Sequence, residues 1–231
     1  MRRLLRLEIK KANLKKYIIA AIVCIAFILL FMTVSIVDTL AHPTTQVKDS
    51  FDSMIRMASL LVTGTFLVFS SVMYVDTTIS GYKNRTVLIL FSYPIKRERL
   101  IAAKMILVSV FTAIAIFTGF LCSMAYLVFV ESHFDALLNS VTSANLQFGL
   151  LKAFEWTLLG VILSLIPFGV GMLRKSTSTA IVCAFILIVL MQPIMGRATV
   201  GEFLLKTIVV LIISASISVY ALRRSTHHVD L

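Results

Sequence analysis

Charged side chains are scarce in this chain of 231 residues. They make up 14% of it, whereas hydrophobic residues make up 59%, and the mean hydropathy is +0.97. Soluble domains carry about 25% charged and about 45–50% apolar residues. One soluble core of this size would leave large apolar patches in water. The composition therefore excludes a soluble domain and a disordered chain, and it indicates an integral membrane protein.

Cysteine is also rare, with Cys24, Cys122 and Cys183 each inside an apolar run. Their odd number and their spacings do not suggest disulfides or metal ligands. We interpret them as small buried hydrophobic residues.

The residues that carry chemistry in membrane enzymes are lacking. The sequence has no G-x-x-x-x-G-K-[ST] phosphate loop and no H-E-x-x-H zinc motif. Its four histidines (His42, His133, His227 and His228) fall outside the apolar runs. Enzymes and proton-coupled carriers of the membrane use ionisable groups at membrane depth. We therefore expect no catalytic residues, no metal ligands and no cofactor on this chain.

What the chain has is long uncharged runs. A helix needs about 20 apolar residues to cross a hydrocarbon layer of about 30 Å, and in lipid its backbone must satisfy its own hydrogen bonds. The expected fold is all-α: a single transmembrane domain over residues 1–231 with six membrane helices. The predicted spans lie near 17–37, 57–75, 105–130, 156–173, 176–196 and 203–222.

The net charge of +11 reflects where the basic residues lie rather than an affinity for nucleic acid. Seventeen of the 22 Lys and Arg residues fall on one side of the predicted spans. Because basic residues collect on the cytoplasmic side, we expect both termini and residues 76–104 in the cytoplasm. Residues 1–16 predict a basic interfacial helix on anionic lipid, although a topology determinant alone would explain the same charges.

On the outer side, Glu155 and Trp156 begin the fourth span. They fit the polar rim of an exit path, and they equally fit an interfacial anchor with an aromatic belt residue. The sequence leaves both interpretations open.

The segment 76–104 does not have the composition of a simple loop. Gly81 offers a break after the second span, the run around Leu88, Leu90 and Phe91 is apolar, and Pro94 ends that element. Six cations flank it, Arg85 and Arg97 among them. This pattern predicts a short helix that docks on a soluble partner, with Leu88 to Phe91 in a groove and the arginines on its rim. An ordinary basic linker is the alternative.

At this segment the chain resembles the membrane subunits of the ABC type-2 permease family. The shared features are a basic N-terminal helix, six spans, and a cytoplasmic pattern of an acidic residue, Gly, a Leu-rich turn, Pro, a basic residue and Lys. These positions correspond here to Asp76, Gly81, Leu88, Leu90, Pro94, Arg97 and Lys104. The resemblance implies that residues 76–104 contain a coupling helix. It also implies a separate ATP-binding cassette subunit, which would hold ATP and Mg, and a second permease subunit.

The short loops look most like those of bacterial permeases that export peptides, including antimicrobial peptides. The resemblance thus implies an exporter of a peptide or another amphipathic substrate in the bacterial plasma membrane, surrounded by lipid. The alternatives are a substrate-binding membrane module of an uptake transporter and an exporter of lipid-linked substrates. A channel-like protein or an intramembrane enzyme is a further class.

Overall fold

The computed structural model is a bundle of helices. It describes residues 14–41, 51–79, 97–134, 143–174, 176–191, 207–218 and 220, and no residue in these ranges forms a strand. The helices are α1 (Leu14–Ala41), α2 (Phe51–Tyr74), α3 (Arg97–Phe134), α4 (Ser143–Arg174), α5 (Thr177–Met191) and α6 (Thr207–Ser218). A π-helical turn, Val75–Ile79, continues α2. The expected all-α class is confirmed for this part of the chain.

Four helices are long and apolar enough to cross a membrane. Their candidate spans are Leu14–Val37, Ser53–Thr78, Ile101–His133 and Gly149–Arg174. The fifth helix, α5, has 15 residues and is therefore about 22 Å long. The remainder of the fifth and sixth predicted spans falls outside the described residues, as do residues 1–13 of the expected interfacial helix. A total of six membrane helices stays a prediction.

Helix α4 begins at Ser143, well before the predicted span at residue 156. Glu155 bounds the uncharged run on that side, with Lys152 and the polar residues Asn145 and Gln147 before it, but none of them ends the helix. The uncharged run is only the part of the helix that suits lipid. The backbone hydrogen bonds of the helix continue beyond that run. Residues 131–134 and 143–151, at the two ends of the stretch between the third and fourth predicted spans, are therefore helical.

The centre of the bundle is formed by α2 and α4. Helix α2 contacts α1, α3, α4 and α5, and α4 contacts α2, α3 and α5. Of the most apolar part of each span, 56% of residues are buried in α2 and 61% in α4, but only 17% in α1. Helix α1 is thus a peripheral element with most of its surface available to lipid.

Two glycines of α4 allow neighbouring helices to approach closely. A Cβ atom at Gly160 would lie 2.5 Å from Cδ1 of the fully buried Ile116, and one at Gly169 would lie 2.6 Å from Cγ2 of Ile217. Small residues are the usual means of close helix packing in membranes. The sequence of α4 therefore fixes its contacts with α3 and α6.

A small cavity of about 20 Å³ lies between α2, α4 and α5. It is lined by Leu60, Thr63, Gly64, Leu67, Leu159, Leu163 and Ile188. The buried hydroxyl of Thr63 has no hydrogen-bond partner within the described part of the chain. The bundle interior is otherwise apolar at this point.

Candidate functional site

The candidate site lies at the end of the bundle where α2 finishes and the segment to α3 departs. There the chain leaves α-helical geometry for the π-helical turn Val75–Ile79, which contains Asp76. The Thr77 hydroxyl donates to the Met73 carbonyl at 2.7 Å, and Thr78 is buried. Single π-helical turns are rare in proteins, and those that occur are often found at functional sites. The turn contacts α2, α3, α4 and α5, so its position is fixed by most of the bundle.

Lys104 connects this turn to α3. Its Nζ atom donates a hydrogen bond of 2.7 Å to the carbonyl oxygen of Thr77. Hydrogen bonds to charged groups contribute about 1.5–3 kcal/mol. Asp76 and Lys104, the two ends of the sequence pattern, therefore meet at one turn of the chain.

Asp76 connects the same turn to α1. Its Oδ2 atom accepts a hydrogen bond from the hydroxyl of Tyr17. The Tyr17 ring lies edge-on to Phe69 and to Phe111, with centroid distances of 6.3 Å in both pairs, and those two phenylalanines stack at 6.0 Å. Aromatic pairs in this range contribute about 0.5–1.5 kcal/mol beyond their buried area. The ring therefore sets the direction in which the hydroxyl reaches Asp76.

Tyr74, the last residue of α2, supports the turn from inside the bundle. It is completely buried, its hydroxyl is 3.0 Å from Oγ of Ser109, and its ring centroid is 5.0 Å from that of Phe168. Phe168 directly follows Pro167, the proline inside α4. A separate buried cluster forms around this pair from Met73, Tyr74, Ile101, Val108, Phe168, Met172 and Ala180. The turn therefore rests on packed side chains of α3, α4 and α5.

The structure describes only part of the predicted docking site. Asp76 lies in the π-helical turn, and Arg97 is the first residue of α3. Gly81, Arg85, Leu88, Leu90, Phe91 and Pro94 lie outside the described residues. The coupling helix itself stays a prediction.

Glu155 and Trp156 lie on α4, twelve and eleven residues before Pro167, and so at a distance from the turn at Asp76. Lys152 and Glu155 pair at 2.8 Å, and Trp156 is buried within the main core. The two predicted rim residues thus have different surroundings. Glu155 forms an ion pair with Lys152 on the same helix, and Trp156 packs in the main core.

Metal binding finds no support in the described ranges, where no three His, Cys, Asp or Glu side chains come together. The cysteines are free thiols, as expected, but none is fully buried, and Cys122 is exposed. The expectation of a buried thiol is wrong for Cys122, because α3 presents that face outward, whereas Cys24 and Cys183 are half-buried against the main core.

Sequence reasoning missed Tyr17 and Tyr74. Each is an aromatic residue at the end of an apolar run, a position typical of interfacial anchors, and nothing local distinguishes them from anchors. The Tyr17 partner is 59 residues away along the chain. The contact depends on how α1 packs, which no local pattern gives.

These features define a multi-pass helical membrane protein with a rigid turn where a long segment between two spans begins. The chain belongs to the ABC-2 family of transporter proteins, whose family model matches residues 4–192. This match confirms the family resemblance seen in the sequence. Members of the family are membrane components that work with ATP-binding subunits. The chain is 27% identical to a protein of Bacillus subtilis (strain 168) named Uncharacterized protein YcbO. The similarity extends over 189 residues, which are 82% of this chain and 82% of the Bacillus protein. No solved structure matches this chain.

Proposed function

We propose that this chain is the permease subunit of an exporter that moves a peptide or another amphipathic substrate out of a bacterial cell. ATP is hydrolysed by a separate subunit, and residues 76–104 bind that subunit. Two permease subunits, identical or related, form the path. Both termini and the segment 76–104 face the cytoplasm.

The observation that supports this proposal most directly is the construction of the turn at Asp76. A segment that transmits force between a soluble subunit and membrane helices needs a firm attachment to those helices. Thr77 is held by the Lys104 ammonium at 2.7 Å, and Tyr74 is locked among α3 and α4 beneath it. A plain linker would not need two such attachments at its root.

The proposed substrate class is supported by the composition of the chain. The described spans carry hydroxyl and apolar side chains rather than charged ones at their centres, as in Ser70, Thr112 and Ser164. Such a bundle is unsuited to holding ions or strongly charged solutes. An amphipathic substrate would avoid the cost of crossing lipid by moving along the seam between two permease subunits.

The experiment is to purify the chain with a candidate ATP-binding cassette subunit and to measure ATP hydrolysis in proteoliposomes with and without candidate peptides. We expect a stable complex, hydrolysis stimulated by a peptide, and export of that peptide. Leu88→Asp and Phe91→Asp should abolish assembly, while Lys83→Ala serves as the matched control in the same segment. Assembly and export by both aspartate variants at the level of the unchanged chain would refute the docking assignment. Uptake instead of export would refute the proposed direction.

A further inference from the structure

Helix α1 is weakly attached to the rest of the bundle. Between Leu14 and Val37, the buried hydrophobic residues are Ala21, Ile28, Met32 and Ile36. The exposed ones include Ile18, Ile22, Phe27, Leu30 and Val34. Its contacts with other elements are mainly with α2 and α3. The helix therefore has a narrow packed stripe and a wide outward face.

In lipid, apolar packing alone does not hold such a helix firmly in place. Hydrocarbon tails are as apolar as Leu, so there is little hydrophobic gain when one helix covers another, and polar contacts between helices carry more of the specificity. Side-chain hydrogen bonds join α1 to its neighbours at both ends. Tyr17 donates to Asp76 at one end, and Tyr126 of α3 donates to Thr33 at 3.0 Å towards the other.

The two bonds differ in what they attach α1 to. The Tyr126 bond reaches α3 eight residues before that long helix ends at Phe134. The Tyr17 bond reaches the π-helical turn from which residues 80–96 depart, and its acceptor is a carboxylate. One short turn is thus connected to α1 through Asp76 and to α3 through Lys104.

We propose that Tyr17 is a positioning residue that links the place of α1 on the bundle to the binding of a partner at residues 76–104. This inference rests on the proposed function, because the partner is the ATP-binding subunit. A change at the turn that alters the Asp76 carboxylate alters the attachment of α1. Binding of the partner beside Asp76 would change the strength of this attachment by some factor, and by thermodynamic linkage the loss of the attachment then changes the affinity for the partner by that same factor.

The test compares two variants that each remove one hydroxyl. Tyr17→Phe keeps the ring against Phe69 and Phe111 but removes the donor to Asp76. Tyr126→Phe is the matched control, because it removes the donor to Thr33 at a distance from the turn. Both are made in a chain in which Cys24, Cys122 and Cys183 are replaced by Ala, with spin labels at Ile22 of α1 and Val189 of α5. Both labelled positions are exposed.

The first measurement is the distance distribution between the two labels in the purified chain alone. We expect Tyr17→Phe to broaden it relative to the unchanged chain, because α1 loses its attachment at that end. An unchanged distribution in Tyr17→Phe overturns the inference whether or not any partner binds.

The second measurement is the affinity of the ATP-binding subunit for each variant. We expect Tyr17→Phe to weaken binding about fivefold, the lower end of typical coupling between sites, and Tyr126→Phe to leave it unchanged. In a background with Asp76→Ala, Tyr17→Phe should have no further effect on affinity. If Tyr17→Phe weakens binding by the same factor in the Asp76→Ala background as in the unchanged chain, Tyr17 does not act through Asp76, and the inference is overturned. If the unchanged chain does not bind the subunit, the proposed function fails, and the link to a partner fails with it.

Discussion

The close approach of α6 to Gly169 yields a test of the packing between α4 and α6. Gly169 lies against Ile217, and a Cβ atom added to it would be 2.6 Å from the Ile217 Cγ2 atom and 3.3 Å from its carbonyl carbon. The methyl group belongs to a β-branched side chain with a restricted rotamer, and the backbone lies behind it. Gly169→Ala therefore requires α6 to move away from α4.

The magnitude follows from three contributions. Overpacking of a well-packed site costs about 1–3 kcal/mol. Movement of α6 also stretches the hydrogen bond from Ser218 Oγ to the Leu165 carbonyl, now 3.3 Å, which is worth about 0.5–1.5 kcal/mol. Replacement of a helical glycine by alanine returns about 1 kcal/mol. We expect Gly169→Ala to lower the free energy of unfolding by about 0.5–3.5 kcal/mol.

Gly64→Ala is the matched control on α2. The atoms nearest to its added Cβ belong to Ile188 and lie 3.7 Å away, an ordinary contact beside the small cavity. Only the gain in helix propensity remains, so this variant should be stabilised by up to about 1 kcal/mol.

The assay is unfolding in detergent, followed by the fluorescence of the single tryptophan, Trp156, which is buried on α4. We expect the two alanine variants to shift the midpoint in opposite directions. A Gly169→Ala protein as stable as Gly64→Ala would show that α6 does not approach α4 as closely as described, and it would refute the reasoning.

Three further predictions concern topology, docking and the turn. Cysteines introduced near Thr44 and Ser140 should react with an impermeant reagent added outside intact cells, whereas one at Asn84 should not; labelling at Asn84 would contradict the orientation deduced from the basic residues. Phe91→Ala should weaken binding of the ATP-binding subunit by about 1–3 kcal/mol in a titration, since buried anchors dominate interfaces, while Lys83→Ala should change it little; equal losses would contradict an apolar anchor. Lys104→Met keeps the apolar stem but removes the donor to the Thr77 carbonyl, so unfolding should become easier by about 1.5–3 kcal/mol; unchanged unfolding would mean that the bond does not hold the turn.

Helices α1 to α4 could be predicted from the sequence because lipid imposes a simple rule. A spanning segment must be long, nearly uncharged and helical, and the runs at 17–37, 57–75, 105–130 and 156–173 satisfy it. Their ends could not be predicted as well. Ser143 and Arg97 begin helices outside those runs, because a helix continues through polar residues once its backbone bonds are formed.

The candidate site was accessible to sequence reasoning only through the family pattern. Asp76 and Lys104 were found that way, but their common turn was not, because it requires the ends of α2 and α3 to meet. The π-helical geometry of Val75–Ile79 has no clear mark in the sequence VDTTI. The contact from Tyr17 to Asp76 depends on the packing of two helices that are distant in sequence. Local patterns therefore located the segment, and tertiary packing determined how it is attached.

The length of the peripheral helix makes the protein sensitive to the thickness of its membrane. The uncharged part of α1, residues 17–37, has 21 residues and is about 31 Å long, which matches a typical hydrocarbon thickness of about 30 Å. In a thinner bilayer such a helix tilts, at a cost of a fraction of a kcal/mol per Å of mismatch. With so few buried side chains, α1 can change its tilt more easily than α2 or α4. Acyl chains of different length would then shift the end of α1 that carries Tyr17, so that the lipid itself acts on the turn at Asp76 without occupying any binding site.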